Sequence, residues 1–384
     1  MKLKIWHLFI VITILFVCSF YVVNLRFDKF YRANGINNDN RVLLEQYLDE
    51  DEQSYLVENQ ISIDLFIDYL KEDQFILQNY QYYNALKDSG RYTRIEDILD
   101  VGNSLSTRLT YLYNDNAFQY AQNLIHESLE MAFLNKENFQ FEYLNIYIPL
   151  KKLYDAQDYS FVDDAEFYMK RFDELDITGI KDKEEKMNQL CKAYSKSQLM
   201  SLMSQTLSEH TEIVFNPNEL TTIVDQNHYI GEYEPHDLIL VQDIPRARYT
   251  MYLRRDAYFA LSQMYQDLSK QYNGFVLTQA YVSKQFLSQE EVGYQEMQLG
   301  LTICITEANK DYKNFEESQL SQWLEQHAYE YGFVLRYPKN KASNTGYSYD
   351  SHYYRYVGKS ASQIIYEQSL SLEEYVLLPK KESD

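Results

Sequence analysis

From Ile5 to Val23 the chain is an almost unbroken run of apolar side chains without Asp, Glu, Lys or Arg. At about 1.5 Å of helical rise per residue, such a run just reaches across a bilayer core and predicts a membrane-spanning helix. Ser19-Phe20-Tyr21 offers no small-x-small cleavage signal, and Val17 precedes Cys18 where a lipoprotein wants a small residue. Both features argue for an anchor that is kept. From about Gly35 to Thr211 the pattern becomes helical, with no Gly between Gly102 and Gly179 and only Pro149 as a breaker there. Phe118, Ala121, Leu124, Ile125, Leu129, Ala132 and Phe133 form one continuous stripe, the signature of a buried helix face. Ser62 ahead of Leu65, Phe66, Tyr69 and Leu70 reads as a helix start, and Thr93-Arg94-Ile95-Glu96 ahead of Ile98 and Leu99 reads as a capping box. Asp49-Glu50-Asp51-Glu52 reads as a solvated helix face, and Leu199, Met200 and Met203 as packing residues.

After the turn residues Asn216-Pro217-Asn218 the pattern mixes. A helical spacing over Ala257, Leu261, Met264, Tyr265 and Leu268 is followed by an apolar strand, Phe275-Val276-Leu277. The expected fold class is α+β in three parts: a membrane anchor and juxtamembrane segment over 1–34, an all-α helical domain over 35–214, and a mixed domain over 215–384. Two folded units also suit a length of 384 residues.

Composition narrows the functions open to the chain. A hydrophobic content of 45% supplies cores, so the net charge of −21 reads as a solvated acidic surface and not as disorder. Nucleic acid is excluded as a partner, because phosphate binding needs clustered Lys and Arg. Lys2 and Lys4 before the apolar run and Arg26, Lys29 and Arg32 after it leave the membrane orientation nearly balanced by charge. The three cysteines, Cys18, Cys191 and Cys304, show no C-x-x-C spacing. A Cys191–Cys304 bridge is open by count, and the simpler reading has both as buried small hydrophobes. No H-E-x-x-H, no G-x-S-x-G and no phosphate-cradling glycine loop is present, and His126, His210, His228, His236 and His327 are scattered as structural residues are.

One stretch carries a longer signal. Tyr331-Gly332-Phe333-Val334-Leu335-Arg336-Tyr337-Pro338, Thr345-Gly346-Tyr347 and Arg355-Tyr356-Val357-Gly358, with Leu372-Glu373-Glu374-Tyr375, resemble the closing segment of the VanY-like D-alanyl-D-alanine carboxypeptidases. Tyr233-Glu234-Pro235-His236-Asp237-Leu238 is similar to that family's entry, so the resemblance spans roughly residues 215 to 378. It implies an α+β domain of the D,D-peptidase type. In that family a zinc ion sits on His, Asp and His, with a Glu as general base and a water in the open position. The ligand motif "S-x-H-x-x-G-x-x-x-D" falls on Gln295 to Cys304, with Met297 for His and Cys304 for Asp. The motif "Y-E-P-W-H-x-R-Y-V-G" falls on Tyr349 to Gly358, with Tyr353 at the third ligand and Asp350 at the general base.

A thioether, a thiol and a phenol make a poor zinc site, so no cofactor is expected. An alternative set of Cys304, His352 and Asp350 would hold zinc only if the one-residue shift from Tyr353 to His352 left the side chain on the same face. The family's "S-G-Y-R-S" loop, which resembles a clamp for a terminal carboxylate, reads Gln279-Ala280-Tyr281-Val282-Ser283, without the Arg. Tyr281, Ser283, Tyr347 and Arg355 are the residues expected to line a surviving peptide groove. The favoured reading is a single-pass cell-membrane protein, anchored through residues 5–23 with its bulk outside as the resemblance implies. Its degenerate carboxypeptidase-like domain would bind a peptidoglycan stem peptide or a cell-envelope protein without cleaving it. Two alternatives stay open: an active D-Ala-D-Ala carboxypeptidase with a rearranged metal site, and a structural interaction module.

Overall fold

The computed structural model describes residues 5–27, 33–308 and 312–379. Lys2, Lys4, Lys29 and Arg32, which enter the orientation argument, lie outside the described residues. The apolar run forms a helix, α1 (Ile5–Phe27). Within it Ile5–Val22 is long and apolar enough to cross a membrane, a property that a signal sequence shares.

The chain separates into two compact units, Met1–Phe139 and Gln140–Asp384. In the first, helices α2 (Asn38–Tyr47), α3 (Glu50–Glu58), α4 (Tyr80–Asp88), α5 (Ile95–Tyr113), α6 (Ala117–His126) and α7 (Glu130–Asn135) surround a core that includes Leu86, Leu105, Leu109, Ala121 and Leu124. The predicted stripe is buried at all its positions but Phe118, which is half-buried. It is not one helix, because the chain turns between α6 and α7 with Ser128 at φ 54°. The capping box expected at Thr93 to Glu96 does not form: α5 begins at Ile95, Arg94 is its N-cap, and no side chain bonds the cap. Asp49 does more than solvate a face. Its carboxylate accepts from the Glu52 amide while Glu52 returns the bond, closing a capping box at the start of α3.

The second unit opens with α8 (Leu144–Leu150), α9 (Phe161–Glu174), α10 (Ile180–Ala193) and α11 (Lys196–Met203). Every regular element between Asn38 and Met203 is therefore helical. Helices α8 to α11 group with the second unit for a packing reason. Tyr194 is fully buried, its ring lies 5.8 Å from that of Tyr233, and its hydroxyl donates to the Ile230 carbonyl at 3.0 Å. Gln198 Nε2 donates to the Glu232 carbonyl, and Leu202 lies against Gly231.

Strands β1 (Glu212–Ile213) and β2 (His228–Tyr229) pair in parallel, and β3 (Leu238–Leu240) and β4 (Tyr252–Arg254) form an antiparallel pair. Helix α12 (Arg255–Leu268) buries Ala257, Leu261, Met264 and Leu268, the face expected from the sequence. The main sheet is antiparallel, in the order β5 (Phe275–Gln279), β6 (Thr302–Glu307), β8 (Asp350–Tyr356), β7 (Phe333–Tyr337). Helix α13 (Gln319–His327) precedes β7, and α14 (Ala342–Thr345) follows it. Helices α15 (Lys359–Glu367) and α16 (Leu372–Val376) close the chain, with Ala361, Ile365 and Leu372 packed on Val334 and Val357. Each such buried side chain contributes roughly 1–3 kcal/mol. Cys18, Cys191 and Cys304 are free thiols, so the Cys191–Cys304 bridge is not formed.

Glycine is required where the connection into the site passes beneath β2. Gly293 has φ +89°, and a Cβ there would lie 2.2 Å from the Tyr229 ring and 2.8 Å from the Gly231 nitrogen. That close approach holds the Gly293 carbonyl on the Ile230 amide at 2.9 Å and fixes the turn that carries Met297.

Candidate functional site

Three strands bring one row of side chains together. Gln279 on β5 pairs with Cys304 on β6, and Cys304 pairs with Tyr353 on β8, so all three project from the same face of the sheet. The Tyr353 hydroxyl donates to Gln279 Oε1 at 3.3 Å, crossing over the buried Cys304 thiol, which also bonds the phenol. Burial, reinforced by Cys304 and Asp350, pushes the Tyr353 phenol up to about 12. Met297 lies buried in a 3-10 turn (Glu296–Leu299) leading into β6. The positions that the resemblance assigns to the three zinc ligands thus hold a thioether, a thiol and a phenol raised away from ionisation. A zinc ion does not fit this donor set, because it wants deprotonated sulfur, imidazole or carboxylate.

The alternative set does not assemble. His352 precedes Tyr353 on β8 and projects from the opposite face, where its ring stacks on Phe315 at a centroid distance of 4.6 Å and is 5% exposed. Asp350 follows it: its Oδ1 accepts from the His352 amide at 2.9 Å and sits 2.8 Å from His352 Nδ1. Cys304 faces the other way, with Tyr353. Among the described residues no three His, Cys, Asp or Glu side chains gather closely enough to hold a metal. The residue at the family's general-base position, Asp350, is therefore engaged on the histidine side of the strand.

Beneath the Tyr353 row lies a buried ionic network that the sequence reading did not single out. Glu296 pairs with Arg336 at 2.5 Å and with Arg355 at 2.9 Å, and it accepts from the Thr302 hydroxyl at 2.7 Å. Arg336 also pairs with Glu373 at 2.7 Å. Burial alone would raise the Glu296 carboxyl, but Arg336 and Arg355 outweigh it and hold it down at about 2. Arg355 was expected to line the groove, and here the structure differs. It is 0% exposed and donates to the Leu220 and Thr222 carbonyls at 3.0 and 2.9 Å, so it ties the 220–222 loop under the site. Arg355 shares the Tyr353 face of β8, two residues along, and what buries it is Glu296 and the distant 220–222 segment, which no local pattern announces.

The remaining groove candidates do reach the surface. Tyr281 is half-buried, its hydroxyl donates to Glu234 Oε1 at 3.3 Å, and Ser283 also bonds that phenol. Tyr347 is exposed and meets Tyr337 at a tilt, ring centres 4.9 Å apart, while Tyr337 meets Tyr353 edge-on at 5.9 Å. Arg336 lies 5.0 Å from the centre of the Tyr337 ring. Val282 presents no charge, and its amide bonds the Met297 carbonyl at 3.3 Å.

Comparison with known proteins gives the family of this part of the chain. The VanY family, described as D-alanyl-D-alanine carboxypeptidase, matches residues 254–359. The carboxypeptidase-like protein YodJ of Bacillus subtilis is 30% identical over 201 residues, which cover 44% of this chain and 71% of YodJ. A D-alanyl-D-alanine carboxypeptidase of Enterococcus faecalis is 42% identical over 84 residues, 22% of this chain and 30% of that protein. Among solved structures, the LdcB LD-carboxypeptidase is 28% identical with a TM-score of 0.40, covering 44% of this chain and 92% of LdcB.

Proposed function

The chain belongs to the VanY family of D-alanyl-D-alanine carboxypeptidases, and from that premise we propose that it is a noncatalytic member, which binds a peptidoglycan stem peptide without hydrolysing it. The observation that carries this reading is the Gln279–Cys304–Tyr353 row, in which a hydrogen-bonded phenol occupies a metal-ligand position. A hydrolase of this type needs three ligands that leave one position for an activated water. Met297, Cys304 and Tyr353 do not supply them, and Asp350 is held by His352.

The proposed protein is anchored by α1 in the cell membrane, with both units outside, where the family's substrate lies. Exposed Tyr347 and the half-buried Tyr281 and Tyr337 near Tyr353 support retention of a binding surface over a purely structural module. The test is to dialyse the purified full-length chain without chelator, measure zinc by elemental analysis, and assay D-alanine release from a stem pentapeptide. The expected result is far less than one zinc per chain and no D-alanine above a heat-denatured control. Stoichiometric zinc with D-alanine release would overturn the reading in favour of a working carboxypeptidase.

A further inference from the structure

Charge around the site is distributed in a way that bears on what the groove takes. Tyr353, Tyr337 and Tyr347 run as one strip across β8 and β7, joined by ring contacts of 5.9 and 4.9 Å, and Tyr281 follows by two residues the Gln279 that the Tyr353 hydroxyl bonds. A carboxylate stands at each end. Glu234 accepts from the Tyr281 hydroxyl. At the other end Asp225 is close enough to Tyr347 to raise its phenol, after burial the largest cause.

Cations on the surrounding segments are engaged in ion pairs of their own. Lys284 pairs with Glu232, Arg254 with Asp237, and Lys341 with Glu374. Arg336 and Arg355 are buried against Glu296 and Glu373, and His228 sits 2.7 Å from Asp225. Glu234 is exposed, and among the described residues no ion pair reaches it. Away from Tyr337, whose ring already carries Arg336 at 5.0 Å, the Tyr281 end of the strip therefore offers an electron-rich ring beside an exposed carboxylate that no ion pair reaches among the described residues. An anionic group laid on it would meet repulsion, whereas an ammonium would gain both the carboxylate and the ring quadrupoles.

We propose that this strip selects a peptide ligand through a free amine, seated over the tyrosine faces and paired with Glu234, and not through a terminal carboxylate. The inference rests on the stem-peptide reading above and names the chemical feature that would be recognised. The probes are a stem pentapeptide containing lysine with a free ε-amine, the same peptide ε-N-acetylated, and the same peptide with a C-terminal amide. Each is titrated by calorimetry into the detergent-solubilised full chain.

Acetylation is expected to weaken binding about tenfold or more, and C-terminal amidation to change it less than about twofold. Glu234→Gln, a change at an exposed position, is expected to lower affinity for the free-amine peptide while leaving the acetylated peptide unchanged. Equal binding of free and acetylated peptides, or loss of binding on C-terminal amidation, would overturn the inference and leave the stem-peptide reading standing. No binding of any of the three would overturn both.

Discussion

Glu296 shows how one residue holds this site together. It is buried beside two arginines, and removing it would leave Arg355 in a low-dielectric interior with carbonyl partners but no carboxylate, and Arg336 with Glu373 alone. Glu296→Ala is expected to destabilise the second unit by about 3–5 kcal/mol, read from denaturant midpoints. The pH dependence follows from the same pairing. A carboxyl whose folded value is depressed contributes stability that is present above its unfolded value and lost as the pH falls through the folded one. For Glu296 those values are 4.5 and about 2. Acid unfolding monitored by circular dichroism should therefore steepen between these two pH values. In Glu296→Gln that steepening should shrink, and an unchanged acid profile would mean that the network does not hold the charge as described. Tyr353 and His352 make a different point at this scale: adjacent residues on one strand have opposite fates, one in the row with Gln279 and the other stacked under Phe315.

At the level of elements, alternation along β8 decides the chemistry. Because side chains change face at every residue, a donor displaced by one position from a ligand site is displaced across the whole sheet. This is why His352 cannot stand in for a ligand at 353. Helix α1 is the other element with a consequence of its own. Its 23 residues extend about 35 Å at the usual helical rise, enough for a hydrocarbon core of about 30 Å. Its side chains from Ile5 to Tyr21 are exposed, with large apolar groups such as Trp6, Phe9, Phe16 and Phe20 among them. The full chain is expected in the membrane fraction, resistant to high-salt and carbonate washes, and deletion of residues 1–34 is expected to shift it to the soluble fraction. Release of the full chain by carbonate would count against a spanning anchor.

On the scale of the whole molecule, the division at Phe139 predicts which pieces stand alone. Residues 140–384 keep Tyr194, Gln198 and Leu202 against the 230–233 segment, whereas a fragment beginning at 215 loses them. The longer fragment is expected to unfold cooperatively. The shorter one should melt several degrees lower, because Tyr194 alone buries a full aromatic side chain and a satisfied hydroxyl. Equal melting temperatures in calorimetry would return the boundary to the Asn216-Pro217-Asn218 turn.

Local pattern determined a good deal of this protein. The apolar run of α1, the helical middle, the buried face of α12 and the family membership were all legible, because periodicity and contiguous motifs are properties of neighbours in the chain. Cap placement was less so: Thr93 and Glu96 have the right spacing, yet the helix starts two residues after Thr93 and the box cannot close. That Met297, Cys304 and Tyr353 stand where the resemblance puts zinc ligands could be read from the sequence. What those residues do instead could not. The Gln279–Cys304–Tyr353 row, the Glu296 network and the burial of Arg355 each join segments far apart in the chain. Strand order and register set them, and these are fixed only when the sheet packs and buried charges find their partners.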